Sequence, residues 1–248
     1  MATAVAQQSI FPKPLPGRRY DHLFFSAMSL LVLVTVFIGF AHTYYLAGVF
    51  RAHLPADILH FHGAVFSCWV LLLVAQTTLV SAHRVDIHRR LGTFGFCLAV
   101  LMVTLGVLAA TNALARDSAP PGIDPKFFYV VPIGDMLNFA VLIFFAFRVR
   151  SNPAAHKRLV LIATVALLTA AFGRWPFAFL LGKPFAAMLC SYGYLLALAL
   201  YDLWATHKIQ RVTLLGSSFL VFVQLARLPL GQTTAWQSFA GWVQNQAR

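Results

Sequence analysis

The sequence predicts an all-α fold: a polytopic membrane helix bundle of seven transmembrane helices, arranged as one leading helix and three hairpins. Three observations predict it. Hydrophobic residues make up 60% of the chain and charged residues only 10%, whereas a soluble domain carries about 25% charged residues. Mean hydropathy is +0.75. Seven runs meet or approach the ~20 apolar residues a spanning helix needs.

In chain order the runs fall near 23–49, 58–81, 91–114, 127–147, 159–181, 185–205 and 212–230. Residues 23–231 thus form one membrane domain. Residues 1–22 read as a polar, proline-bearing tail. They lack the basic region followed directly by an apolar stretch that marks a signal peptide, so the first span is expected to stay in the mature protein. The loops are short. The longest, Ala115–Lys126, reads "ARDSAPPGIDPK" and is rich in turn and breaker residues. In the external tail 232–248, Trp236, Phe239 and Trp242 recur at helical spacing. A short amphipathic helix along the outer interface is expected there.

The net charge is +12 and the chain contains no glutamate. Basic residues on loops set orientation in a membrane protein, so this balance is assigned to topology and not to nucleic acid. With the N-terminus inside, twelve cations gather on one side: Lys13, Arg18, Arg19, Arg84, Arg89, Arg90, Arg148, Arg150, Lys157, Arg158, Lys208 and Arg211. Five lie opposite: Arg51, Arg116, Lys126, Lys183 and Arg248. The expectation is a multi-pass protein of the inner (cytoplasmic) membrane, with the N-terminus cytoplasmic and the C-terminus external. Its partner is the lipid bilayer, with other membrane proteins as further candidates. Cys68, Cys97 and Cys190 fall inside apolar runs without a C-x-x-C partner and read as small buried hydrophobes.

Polar groups gather toward the outer side. His42 ends the first span, His60 and His62 open the second in "ILHFHGAVFSCW", Asp135 lies in the fourth, and Arg174 and Arg227 lie in the outer halves of the fifth and seventh. Tyr44, Tyr45, Trp175 and Tyr192 share that depth. A charge inside the bilayer costs roughly 2.5–3.5 kcal/mol on insertion scales, so it is normally paired or functional. Two readings follow: a shared polar chamber, or a structural pair in which Asp135 holds Arg174 or Arg227 and pins the bundle. His60 and His62 are about 200° apart around a helix. Small neighbours Gly63, Ala64 and Ser67 favour His60 as the inward residue.

Three turns on the basic side carry a histidine followed by cations: "HRRLG" from His88, "HKRLV" from His156 and "HKIQRV" from His207. With His83 they read as interfacial anchors touching head-group phosphates. Alternatively, His88 and His156 point into the bundle as ligands.

The pattern "HGAVFSCW…HRRLG…HKRLVLIATVALLTAAFGRW" resembles a broad group of uncharacterised bacterial multi-spanning membrane proteins. The match covers roughly residues 58–180, with His62, His88, His156 and Arg174 at the matching positions. The layout is also similar to transmembrane b-type cytochromes and to small proteins that help mature haem–copper oxidases. That resemblance implies haem b or a transition metal at His88 and His156. The outer side departs from the two-haem pattern, because the fourth span offers Asp135 and no histidine.

Nucleotide-binding, zincin and hydrolase motifs are absent from the sequence. Three function classes stay open: a haem- or metal-binding protein of redox or oxidase maturation, a small-molecule carrier or membrane enzyme using the His/Asp/Arg chamber, and a structural or assembly partner without a ligand. Whether the chain is an enzyme stays open with them.

Overall fold

The computed structural model describes residues 20–51, 57–181 and 183–248. Lys13, Arg18, Arg19 and most of the N-terminal tail, placed on the basic side from sequence, lie outside the described residues. Helix α1 (Asp21–Phe40) continues through a π-helical turn (Ala41–Tyr45) into the short α2 (Ala47–Phe50). Then come α3 (Asp57–Ser81), α4 (Val85–Ala115), α5 (Pro125–Arg148), α6 (Pro153–Phe172), α7 (Pro184–Thr206), α8 (Arg211–Gln232) and α9 (Thr234–Ala247). Seven of these elements, α1 with its π turn and α3 to α8, are long and apolar enough to cross a membrane. The chain is an all-α, multi-pass helix bundle.

One span sits differently from its prediction. The fifth apolar run reads 159–181, but α6 covers Pro153–Phe172. Asn152 caps its start, accepting from the Ala155 N–H at 3.2 Å, and Pro153 takes the first helical position, where its missing N–H is not needed. The far end stops before Pro176, because the residue preceding a proline disfavours helical backbone. Arg174 therefore lies in the turn after α6, not in a span. Helix α4 likewise starts at Val85, ahead of the predicted 91, so His88 and His156 both sit inside the first turns of their helices.

Helix α6 is central. It packs against α1, α5, α7 and α8, and 72% of its apolar window is buried, the largest share of the seven. Close approach requires small residues: a Cβ on Gly39 of α1 would fall 2.4 Å from the Ala171 carbonyl oxygen of α6. The hairpins α3–α4 and α5–α6 pack along their lengths. The third hairpin is splayed. Its helices α7 and α8 meet sparsely, and each leans on α6 instead.

Helix α9 folds back over the ends of α4, α5 and α8. Trp236 donates through Nε1 to the Lys126 carbonyl at 2.9 Å, and Gln244 donates to the Leu114 carbonyl at 2.9 Å. Of the tail's three aromatics only Trp236 turns inward; Phe239 and Trp242 stay exposed. The cysteine expectation needs correction. All three thiols are free, but Cys68 and Cys97 are exposed on the bundle surface, where lipid accepts a small apolar group as readily as a core does.

Candidate functional site

Two aspartate–arginine pairs are buried in the bundle. At the basic face, Asp202 of α7 accepts from Arg158 of α6 through Nε at 2.9 Å and through the second guanidinium nitrogen. Its other oxygen accepts from the Gln210 N–H at 3.1 Å and from the Thr213 hydroxyl. Arg158 spends a further N–H on the Ala154 carbonyl at 2.8 Å. Nearby, Asp21 accepts from Tyr201 Oη at 2.7 Å and pairs with Lys157. This network neutralises the two cations in the first turns of α6. Of the acidic residues, only Asp135 and Asp202 fall inside predicted spans, the sequence signal that could have found it.

The second pair joins Asp135 of α5 to Arg227 of α8, N–H to Oδ1 at 2.7 Å, with the same nitrogen 3.3 Å from the Val131 carbonyl. Each helix carries an internal proline beside it, Pro132 and Pro229, so regular backbone bonding is interrupted on both sides of the pair. The Arg227 stem lies against α5 at Gly134, where a Cβ would make ordinary contact, 3.4 Å from Arg227 Cδ.

The surroundings of this pair are unsaturated. Gln224 is fully buried and its amide acts on the Asp135 carboxyl as a loose hydrogen-bond donor, yet neither amide atom has a partner at full hydrogen-bond geometry. Arg227 Nε, Tyr192 Oη and Asn138 Oδ1 are also buried without a partner. Asn138 lies one turn from Asp135 and donates weakly to the Leu220 carbonyl at 3.4 Å. Tyr192 is near enough to feel both charges of the pair. Gln224 and Asn138 were not singled out by sequence. Their signal was helical spacing, with Gln224 three residues before Arg227 and Asn138 three after Asp135.

The remaining expected chamber residues divide. Arg174 does not reach Asp135; it donates to the Ala170 carbonyl at 2.7 Å and lies 4.9 Å over the Phe40 ring. His42 packs on Phe50, with ring centroids 4.6 Å apart. The π-helical turn brings Tyr44 and Tyr45 onto α3. Tyr44 donates to the His60 carbonyl at 3.1 Å, and Tyr45 shares a hydrogen bond with Ser67 at 2.7 Å. Tyr44 fills the space over Gly63, where a Cβ would come within 2.8 Å of its ring. The small face of α3 thus receives tyrosines, and the His60 ring stays beside Tyr44, half-buried. His62 stacks on Phe66 at 4.1 Å and lies near the Leu105 carbonyl of α4, with Nδ1 buried and unpartnered. Arg174 is close enough for its charge to act on His62, which keeps those two in one neighbourhood.

At the basic face, His83 and His207 are exposed and hold left-handed backbone, φ 59° and 57°. Histidine tolerates this better than most residues, so both serve as turn formers. His88 and His156 are close enough for their charges to interact. His156 Nδ1 meets the Ala146 carbonyl at 2.9 Å. A carbonyl only accepts, so Nδ1 carries the hydrogen and Nε2 a lone pair. Gln76 turns its amide nitrogen to His88 Nδ1 at 2.6 Å and its oxygen to the Gly92 N–H at 2.9 Å. His88 Nδ1 is then an acceptor and its Nε2 carries the hydrogen. The two imidazoles are in opposite tautomers. His156 suits an axial ligand; His88, as Gln76 holds it, is a donor. Among the described residues no three histidine, cysteine or acidic side chains gather closely enough to hold a metal ion.

In comparisons with known proteins, the chain matches no family model, no curated protein and no solved structure.

Proposed function

We propose that the protein binds a small, uncharged, hydrogen-bonding molecule beside Asp135 and Arg227, as a carrier or a membrane enzyme, and that its basic face is cytoplasmic. The observation that carries this reading is the concentration of orphaned polar atoms around one ion pair: both amide atoms of Gln224, Arg227 Nε, Tyr192 Oη and Asn138 Oδ1. Buried polar groups in native proteins are nearly always satisfied by protein or by a guest, and each one left bare costs about 1–3 kcal/mol. The guest is uncharged because Asp135 already balances Arg227. An added ion would leave a net charge in low dielectric.

The test is extraction. Protein purified in mild detergent, as wild type and as Gln224→Leu, is denatured and its small molecules are identified by mass spectrometry. One low-mass species at near-stoichiometric amount in the wild type, lost in Gln224→Leu, is the expected result. Identical extracts from both would end the reading.

A second reading, haem or metal binding at His88 and His156, is favoured by one observation: the Ala146 carbonyl holds His156 Nδ1, so that the neutral ring keeps its lone pair on Nε2. Haem supplies one-electron transfer when bound. In this chain His156 would hold it, and His88 would join only after the Gln76 amide turns over. An absorbance spectrum of the purified protein decides, since a Soret band removed by His156→Ala supports this reading and a featureless spectrum rejects it.

A further inference from the structure

Two hollows of the molecule meet at one residue. The first is a pocket of about 470 Å³ at the basic face. Its cationic side chains are Arg158, Lys208 and Arg211, and it lies between the turn opening α6 at Asn152 and the turn opening α8 at Gln210. Arg158 is neutralised by Asp202. Among the described residues, neither Lys208 nor Arg211 enters an ion pair. Helix α8 also has no side-chain cap, so the N–H groups of its first turn lack that partner. The pocket therefore carries two cations without an ion-pair partner, beside a helix N-terminus whose Gln210 N–H and Thr213 hydroxyl are taken by Asp202.

The second hollow is the cleft of about 350 Å³ left by the splayed third hairpin. Its walls are Leu195, Leu196 and Ala199 of α7 and Leu214, Ser218 and Val221 of α8. Ile209 lines both hollows. Along α8 the cleft runs from Thr213 to Val221, eight residues or about 12 Å of helix, most of one leaflet of a hydrocarbon core about 30 Å thick.

We infer that the pocket and the cleft together form a binding site for an anionic phospholipid, with its phosphate between Lys208 and Arg211 and an acyl chain along the α7–α8 cleft. Charge complementarity selects the head, and continuity through Ile209 places the chain. The cleft also explains how α7 and α8 stand apart without exposing a void: a lipid chain supplies the contacts that a neighbouring helix supplies elsewhere. Tyr192 also lines this cleft, so the lipid site and the proposed guest site at Asp135 share one wall.

Native mass spectrometry tests it. The wild type, Lys208→Gln/Arg211→Gln and Ala199→Phe are equilibrated in detergent with phosphatidylglycerol or phosphatidylcholine. Expected is one phosphatidylglycerol retained by the wild type at least ten-fold over phosphatidylcholine. Both variants should lose that preference, the first by removing the head site and the second by plugging the chain site, while millimolar inorganic phosphate leaves wild-type retention unchanged. Retention unaltered in the charge variant, unaltered in the plugged variant, or abolished by phosphate alone would each overturn the lipid site. The last result would leave a free-anion pocket in its place.

Discussion

Arg158–Asp202 and Arg227–Asp135 put the same two functional groups into one bundle with opposite surroundings. Asp202 receives four donors, two of them from Gln210 and Thr213 outside the pair. Asp135 receives one close hydrogen bond, from Arg227, and a looser approach from Gln224, with orphaned polar atoms nearby. A saturated pair fixes helices in place, here α6, α7 and the start of α8. An unsaturated one keeps bonding capacity in reserve at a stability cost, and that contrast is why a binding site is proposed there.

Three substitutions sharpen or break this contrast. The largest effect is expected for Asp202→Ala, which strands Arg158, the Gln210 N–H and the Thr213 hydroxyl at once. Losing a partner from a buried pair costs about 3–5 kcal/mol, so the yield of monodisperse protein should collapse. Normal yield and melting would break the structural half of the contrast. Asp135→Ala should cost less, about 3 kcal/mol at the low end of that range, because one donor depends on it. The double variant Asp135→Ala/Arg227→Met should recover most of the loss in a thermal melt in detergent. The matching Asp202→Ala/Arg158→Met should not recover, since two donors remain stranded. The smallest effect has the opposite sign. Gln224→Leu removes two orphaned amide atoms and should stabilise the ligand-free protein by about 1 kcal/mol. A destabilised Gln224→Leu would mean the amide bonds to protein.

Much of this was legible in the chain. Seven spans follow from apolar run length, and the tail helix from the spacing of Trp236, Phe239 and Trp242. The start of α6 was misplaced because Lys157 and Arg158 read as a span's outer limit, whereas Asp21 and Asp202 neutralise them inside the bundle. Asp135 was recognisable as a paired charge, but depth alone could not choose between Arg174 and Arg227. That choice needed the α5–α8 contact and the turn that removes Arg174 from α6. The small face of α3 pointed to a partner at Gly63 and Ser67. What fills it is a pair of tyrosines delivered by a π-helical turn, which no hydrophobic period encodes.

The account rests on the space around Gln224 being occupied in the working protein. A high-resolution map of the protein in lipid nanodiscs examines that space directly. Non-protein density within hydrogen-bonding distance of the Gln224 amide and Tyr192 Oη, with none inserted between Arg158 and Asp202, is the predicted result. Gln224, Tyr192 and Asn138 closed onto one another and onto Asp135, with no density between them, would contradict it.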